Sequence, residues 1–444
     1  MSAPLDVDVA VLGGGPGGLA AAVAAARAGV AVALVSDGPV GGRAAHATML
    51  PWRALERAVD GASDGGEGEA WASARAEATR LAERWEERLR LRLQDAGVEI
   101  VAGRGRFEDA RALSVADGPR VRFDRAVVAV GAPPDALPGA PPDGDRLLRP
   151  DQLLRLEALP DELMVIGGGA AGAELVDALS RLGRTKLTWV MDEVGILPRF
   201  ERELAEAVGD VLMERGVKLV HGKAVASVAI VDDQVQAKLD GGRTYAAARA
   251  VVCAGARPAL DGLGLDALGA KVDRRGALVV DAHGRTSVDH VFAVGDCTLR
   301  SENVAGAEAM GRVAGRAAAE LEPRDFDPRA IPRVAWTRPC VAQVGQTPER
   351  VAGREVIFHT LRLEETSFGL LRGIAETDHA KGFVRVVADS ETGRLMGASA
   401  LGPGAAEIVG AVAVALRVGA TDDQLADVFG AAPSALDALG RSAR

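Results

Sequence analysis

Two stretches of the chain repeat one pattern of apolar and polar positions. Residues 7–37 run as an apolar segment, VDVAVL, a glycine cluster, Gly13-Gly14-Gly15-Pro16-Gly17-Gly18, an alanine-rich stretch to Gly29, and a second apolar segment, VAVALV. Short, continuously apolar runs bounded by turn residues predict buried strands, and the alanine-rich stretch between them predicts a helix. The same order returns at 163–192, where LMVIGGGAAGAEL leads into a helix, a loop at Gly183 and the strand KLTWVM, ending at Asp192. Strand, turn, helix and strand in this order predict two parallel α/β units. From about residue 331 the pattern changes to strand-rich sequence with turn signals, RVAWTRPCVAQVGQTPE and VRVVADSETGRLMGASALG, with helices from 404 onward. Asp60–Glu69, DGASDGGEGE, predicts a solvated glycine-rich loop, and the charged run after it to Arg92 predicts an exposed face of a helix pair.

The glycine spacing adds chemistry to this pattern. Gly13, Gly15 and Gly18 form G-x-G-x-x-G directly between strand and helix, as do Gly167, Gly169 and Gly172. In that context the first glycine makes the tight turn, the second lets a pyrophosphate reach the backbone, and the third lets helix and strand pack closely. Ser36 and Asp37 end the second strand of the first unit, and Met191 and Asp192 end that of the second, where a ribose is bound in such folds. Two units imply two dinucleotides, and a hydride donor facing a flavin is the economical pair.

Composition narrows the classes. With 444 residues and 48% hydrophobic content the chain can bury several cores and is expected to be multidomain. Its formal charge of −10 gives no reason to expect nucleic acid or an anionic membrane as partner. The start enters a strand almost at once without an export signal, and the Ala/Val-rich runs at 19–35 and 405–418 carry Arg27, Glu407 and Arg417, so a soluble cytoplasmic protein is expected. Cys253, Cys297 and Cys340 are far apart and odd in number, which suggests neither disulfides nor a metal site.

Further motifs resemble one family, the pyridine nucleotide-disulfide oxidoreductases. AVVAVGAPP (126–134) and AVVCAGARP (250–258) are similar to the family's A-T-G-x-x-P strand ends, and HVFAVGDCT (290–298) resembles the motif whose Asp bonds the ribityl chain of FAD. VAGAEAMGR resembles the helix whose positive N-terminus faces the flavin pyrimidine ring, and WTRPCVAQVGQTP resembles the opening of the dimerisation domain. The resemblance implies an α/β fold with two Rossmann-like FAD- and NAD(P)-binding domains and a C-terminal α+β dimerisation domain. It implies FAD domain parts at 1–150 and 274–330, an NAD(P) domain at 151–273 and an interface domain at 331–444 of a homodimer. The flavin-binding set would be Gly13, Gly15, Gly18, Ser36, Asp37, Gly42, Arg43, Gly131, Gly295, Asp296 and Ala307. The nicotinamide set would be Gly167, Gly169, Gly172, Asp192 and Gly255, with NADH favoured over NADPH because a carboxylate at Asp192 repels a 2′-phosphate.

The departures from this family bear on the reaction. VGGRAAHATMLPWRAL (40–55) resembles the redox-helix segment GGTC-x4-C-x-P-S-K, but Ala44 and Met49 replace both cysteines and Arg53 replaces the lysine beside flavin N5. The C-terminal H-P-T-x-x-E signature reads Ala432-Pro433-Ser434-Ala435-Leu436-Asp437, so the catalytic histidine is alanine. An imidazole poised near neutral pH handles protons in thiol chemistry, and alanine cannot replace it. The resemblance thus implies an FAD-dependent NAD(P)H oxidoreductase without a redox disulfide, its acceptor a quinone, another small molecule or oxygen. Electron transfer to a protein redox partner, transhydrogenation and a non-catalytic flavin-binding scaffold are the alternatives. Arg53 and Glu174 are the expected pair beside the flavin, Ala170 leaves its nicotinamide face open, and His46 is either a proton donor to the acceptor or an inert, solvent-facing histidine. Trp52 is expected to be a packing residue, and Met49 to fill the lost sulfur's space.

Overall fold

The structure is a computed structural model that describes residues 3–61, 66–134, 137, 139, 141–192, 194–301, 303–322, 325–351, 353, 355–374, 382–427 and 430–442. It divides into two compact units, one of Met1–Gly61, Trp71–Asp135 and Gly255–Pro328, the other of Ala62–Ala70, Ala136–Ala254 and Arg329–Arg444.

In the first unit the strands β1 (Leu5–Leu12), β2 (Val32–Ser36), β3 (Val98–Ala102), β6 (Val121–Val128) and β15 (Val291–Ala293) are parallel, in the order β3-β2-β1-β6 with β15 on β6. The antiparallel β4 (Gly105–Asp109) and β5 (Ala112–Val115) extend the sheet beyond β6. α1 (Pro16–Ala26) follows β1 directly, and Pro16 at its first position costs nothing because that N–H has no helical partner. α9 (Val304–Ala318) packs along α1 through small residues, and a Cβ at Gly311 or Gly315 would lie 2.2 Å from Gly17 O or 2.3 Å from Ala21 O. α2 (Gly42–His46) and α3 (Met49–Gly61) are separated by Ala47 and Thr48, whose N–H groups both donate to the Arg43 carbonyl. The expected loop at 60–69 is smaller than its glycines suggest. Asp60 and Gly61 close α3, and Gly66–Glu69 open the 30-residue α4 (Gly66–Asp95); residues 62–65 lie outside the described residues. The charged run to Arg92 is one helix and not a pair.

In the second unit a parallel sheet has the order β10-β9-β8-β14-β7, from β7 (Leu147–Leu148), β8 (Glu162–Ile166), β9 (Lys186–Val190), β10 (Lys218–Val220) and β14 (Arg249–Val252). α5 (Pro150–Leu153) precedes β8, α6 (Ala170–Leu182) joins β8 to β9, α7 (Arg202–Glu214) precedes β10, and β11 (Val225–Val231), β12 (Gln234–Leu239) and β13 (Thr244–Ala247) form an antiparallel sheet. The short α8 (Leu265–Leu268) belongs to the first unit. The C-terminal part is an antiparallel sheet of β16 (Arg333–Ala335), β17 (Val341–Gly345), β20 (Leu395–Leu401), β19 (Phe383–Asp389) and β18 (Val356–Arg362), in that order. α10 (Ser367–Leu371), α11 (Ala405–Val418), α12 (Asp422–Ala426) and α13 (Ala435–Ser442) accompany it, and α11 buries Ile408, Val409 and Val412 in its core. Glu201, 2% exposed, ties α7 to this sheet by accepting from Arg385 and the Ser399 hydroxyl, and Arg385 also reaches Glu203 at 2.7 Å. Among the described residues no helix is long and apolar enough to cross a membrane.

Candidate active site

The two glycine turns show which of their glycines serve the fold and which do not. Gly13 has φ +110, and a Cβ there would sit 2.3 Å from Ala129 O; a Cβ at Gly18 would sit 1.9 Å from Gly13 O. Close approach of the chain beyond β6 at Gly13, and of helix on turn at Gly18, therefore excludes any side chain at both. Gly15 is different: its φ of −77° suits any residue, and a Cβ there meets no protein atom within 4 Å. The second unit repeats this, with φ +122 at Gly167, a Cβ at Gly172 within 2.2 Å of Gly167 O, and open space at Gly169, whose φ is −73°. Nothing inside the chain requires glycine at 15 or 169. Each caps a helix without a side-chain hydrogen bond and faces open space, which fits a phosphate group at the helix N-terminus.

Around the first turn the predicted flavin set converges within one unit. A Cβ on Gly14 would meet Ser36 Oγ at 2.9 Å, the Gly41 N–H donates to Gly14 O at 2.8 Å, and a Cβ on Gly42 would lie 2.8 Å from Gly15 Cα. Arg43 Nη1 donates to Ala132 O at 3.2 Å, next to Gly131. A Cβ on Gly17 would touch Ala307 O at 3.2 Å, and one on Gly295 would meet the Ala307 methyl at 3.4 Å, so Asp296, in the 3₁₀ turn after β15, stands beside the start of α9. Asn303 caps α9 by accepting from the Gly306 N–H at 2.8 Å. Asp37 is exposed at the end of β2, and Ser36 Oγ donates to Gly38 O. Gly131 O accepts from the Ala259 N–H and Pro133 O from the Arg257 N–H, in the segment that begins at Gly255.

The former sulfur positions open onto a cavity. Ala44, Ala45 and Met49 line a space of about 300 Å³ together with residues of α1, α4 and α9. His46 does not line it. Its Nε2 is 3.3 Å from Val40 O and 3.6 Å from Glu86 of α4, and Glu86 also accepts from the Val40 N–H at 3.1 Å. His46 is thus half-buried and tethered, which corrects the expectation of a solvent-facing side chain. Trp52 is 4% exposed and packs in the interior, and its indole N–H has no hydrogen-bond partner among the described residues. Arg53 pairs with Glu56 at 2.5 Å, one turn along α3. The sequence reading missed Arg27, Arg92, Arg312 and Arg316, which share the cavity lining; only the four-residue spacing of the last two hinted at a common face.

In the second unit Glu174, on α6, accepts from the Trp336 N–H at 3.1 Å. Ala170 opens that helix beside Gly169. At the end of β9 the side chain of Met191 is fully buried while Asp192 is exposed, its carboxylate accepting from the Val194 N–H at 3.1 Å. Of the two residues that end this strand, Met191 is therefore core and the Asp192 carboxylate is the one that faces out.

None of the three cysteines can replace the missing pair. Among the described residues none forms a disulfide, and burial pushes the thiols of Cys253 and Cys297 up to about 12, which leaves them protonated and unreactive at neutral pH. At the C-terminus Ala432 is exposed, and Asp437 pairs with Arg441 at 3.1 Å on α13.

Two parallel α/β sheets with open glycine turns, followed by an antiparallel α+β domain, define a two-dinucleotide oxidoreductase. The chain belongs to the pyridine nucleotide-disulphide oxidoreductase family: residues 7–311 match the family's nucleotide-binding region and residues 331–443 its dimerisation domain. It is accordingly an FAD-dependent oxidoreductase, and the recognition and fold class expected from the motifs are borne out. It is 31% identical to dihydrolipoyl dehydrogenase 2 of Haloarcula marismortui over 98% of this chain and 96% of that one. It is 32% identical to an NAD(P)H dehydrogenase (quinone) of Mycobacterium tuberculosis over 79% and 73% of the two chains. The crystal structure of LpdA from Mycobacterium tuberculosis superposes with a TM-score of 0.90 at 28% identity, covering 100% of this chain and 99% of that one.

Proposed function

We propose that this enzyme oxidises NADH, in preference to NADPH, and reduces a quinone-type acceptor without a redox disulfide. NADH, one proton and the quinone give NAD⁺ and the hydroquinone, so the nicotinamide loses a hydride and the quinone gains two electrons and two protons. FAD, when bound, supplies the two-electron relay between donor and acceptor. One observation carries the reading: Ala44 and Met49, where the family has its two sulfurs, line a cavity large enough for a flat ring, while among the described residues no remaining cysteine forms a disulfide and two have thiol pKa values pushed up to about 12. The similarity to a quinone-type NAD(P)H dehydrogenase supports the same acceptor class.

In this reading Gly13, Gly15 and Gly18 hold the flavin pyrophosphate, Ser36 and Asp37 its adenosine ribose, and Asp296 its ribityl chain, with Gly42, Arg43, Gly131, Gly295 and Ala307 around it. Gly167, Gly169, Gly172 and Gly255 take the nicotinamide nucleotide, and Asp192 accepts from the ribose 2′-hydroxyl and repels a 2′-phosphate. Arg53, paired with Glu56 one turn along α3, keeps a fixed positive charge beside the flavin, because guanidinium does not lose its proton, and Glu174, on the helix that follows the second glycine turn, serves the nicotinamide side. His46 braces α2 through Val40 and Glu86, and the acceptor's protons come from solvent. The domain limits are those read from the motifs, 1–150 with 274–330, 151–273 and 331–444, and two copies pair through the last in a cytoplasmic homodimer. Anaerobic addition of NADH tests this directly. The flavin absorbance bleaches without a long-wavelength thiolate band, and added quinone restores it. An absorbance that NADH leaves untouched would reduce the chain to a scaffold, and reoxidation by redox proteins or a second nicotinamide alone would give the acceptor's role to those.

A further inference from the structure

The cavity is polarised along its length. α1 and α9 lie in parallel register, since Gly17 meets Ala307 and Gly311 while Ala21 meets Gly315. Both helices begin at the glycine-turn end, where Pro16 and Val304 join Ala44 and Met49 in the lining, and the apolar side chains of Leu19 and Val23 continue the floor along α1. At the far end of the same lining stand Arg27 on α1 and Arg312 and Arg316 on α9, with Arg92 from the last turn of α4. At 1.5 Å per residue, the eleven steps from Pro16 to Arg27 span roughly 16 Å. Four arginines face one acid in the lining, Glu308, on a chain whose formal charge is −10. Arg312 pairs with Glu308 at 3.6 Å and Arg316 donates to Glu322 O, whereas among the described residues the guanidinium groups of Arg27, at the C-cap of α1, and of Arg92 make no hydrogen bond or ion pair. Helix C-termini favour cations, but that does not explain why three helices bring theirs to one cavity.

We infer that the acceptor is an amphipathic anion, with a flat redox ring between Ala44 and Met49 and a carboxylate or sulfonate at the far, arginine-bearing end. This inference rests on the proposed quinone reduction and adds the charge of the substrate to it. Three benzoquinones with one ring and one alkyl chain, ending in a carboxylate, a hydroxyl or a quaternary ammonium, share a potential and differ only in terminal charge. With the holoenzyme and NADH, kcat/KM should be highest for the carboxylate and lowest for the ammonium. The carboxylate's advantage over the hydroxyl should shrink about tenfold in the Arg27→Gln/Arg92→Gln variant and at high salt, as expected for removing two unit charges near the surface. Quenching of the half-exposed Trp85, which lines the same cavity, reports binding apart from turnover and should show the same order. Equal kcat/KM for all three quinones, or a variant that keeps the wild-type ratio, overturns the anionic acceptor while quinone reduction stands. Failure to reduce any of the three, with equal quenching by all, overturns both.

Discussion

A single methyl group at Gly15 separates a binding role from a folding role. The backbone there has φ −77° and ψ 178°, open to any residue, and a Cβ meets nothing within 4 Å. Gly15→Ala loses unfolded-chain entropy, which stabilises by roughly 0.4–1 kcal/mol, and gives up a better N-cap residue, which costs a similar amount. The apoprotein should therefore melt within a few degrees of wild type. The methyl lies where the phosphate must approach the helix N-terminus, so at least one charge-assisted hydrogen bond of roughly 1.5–3 kcal/mol is lost. FAD affinity should fall roughly 10- to 150-fold, and the rise in melting temperature on adding FAD should shrink in step. Gly18→Ala is the contrasting case. Its Cβ would lie 1.9 Å from Gly13 O, about 1.5 Å inside ordinary contact, with the Ala129 methyl, which has no rotamer to yield, 3.2 Å away. A cost of about 3 kcal/mol follows, lowering the melting temperature by roughly 6–12 °C with or without FAD. Thermal melts of apo and FAD-reconstituted protein, with a flavin titration, measure both quantities. A Gly15→Ala variant that binds FAD as tightly as wild type refutes the reasoning, because the space over Gly15 would then hold no phosphate.

Asp192→Ala should raise the KM for NADH about fivefold and narrow the gap to NADPH, read from steady-state rates with both nucleotides; an unchanged ratio removes Asp192 from nucleotide choice. At pH 8 a thiol pushed up to about 12 is roughly one part in ten thousand thiolate, so Cys253 and Cys297 should resist a disulfide reagent in the folded protein and react at once in denaturant. Because those two pKa values rise on folding, the unfolded chain loses these protons first. Their contribution to stability is intact below about pH 9 and declines as the pH climbs toward 12, which alkaline melts would detect. Glu201→Gln leaves Arg385 half-paired through Glu203 alone and should cost about 2–3 kcal/mol, whereas replacing Glu201 and Arg385 together by leucine should recover part of that loss in thermal melts.

Motifs whose constraint is local were legible in the sequence. The positive φ at Gly13 and the clash that excludes a Cβ at Gly18 arise within one strand-turn-helix, and residue spacing alone exposes them, while the crowding over Gly13 comes from Ala129 after β6. The loop expected at 60–69 is short because Gly66 and Gly68 open a helix sustained by the charged, alanine-rich sequence to Asp95. The position of His46 was not legible because it is set by Glu86, forty residues along the chain on a different helix. The same holds for the cationic end of the cavity, assembled from three helices that only packing brings together. Which of the two residues ending β9 faces out was likewise not legible, because packing sets it: Met191 turns inward and Asp192 outward.

The loss of sulfur chemistry runs through each part of the apparatus that this chemistry requires. A dithiol needs two adjacent sulfurs, a low thiol pKa and a base to take the proton. At 44 and 49 the sulfurs are absent, and among the described residues the cysteines that remain form no disulfide, two of them with thiols held protonated by burial. At 432 the imidazole is absent, and the nearby carboxylate of Asp437 has taken Arg441 as its partner. Gly15 and Gly169 face open space without a packing reason for glycine, and that is what the proposed phosphate sites account for. In the proposed function the chain thus keeps both dinucleotide turns beside a vacated sulfur site, and the acceptor takes a cavity with one apolar and one cationic end.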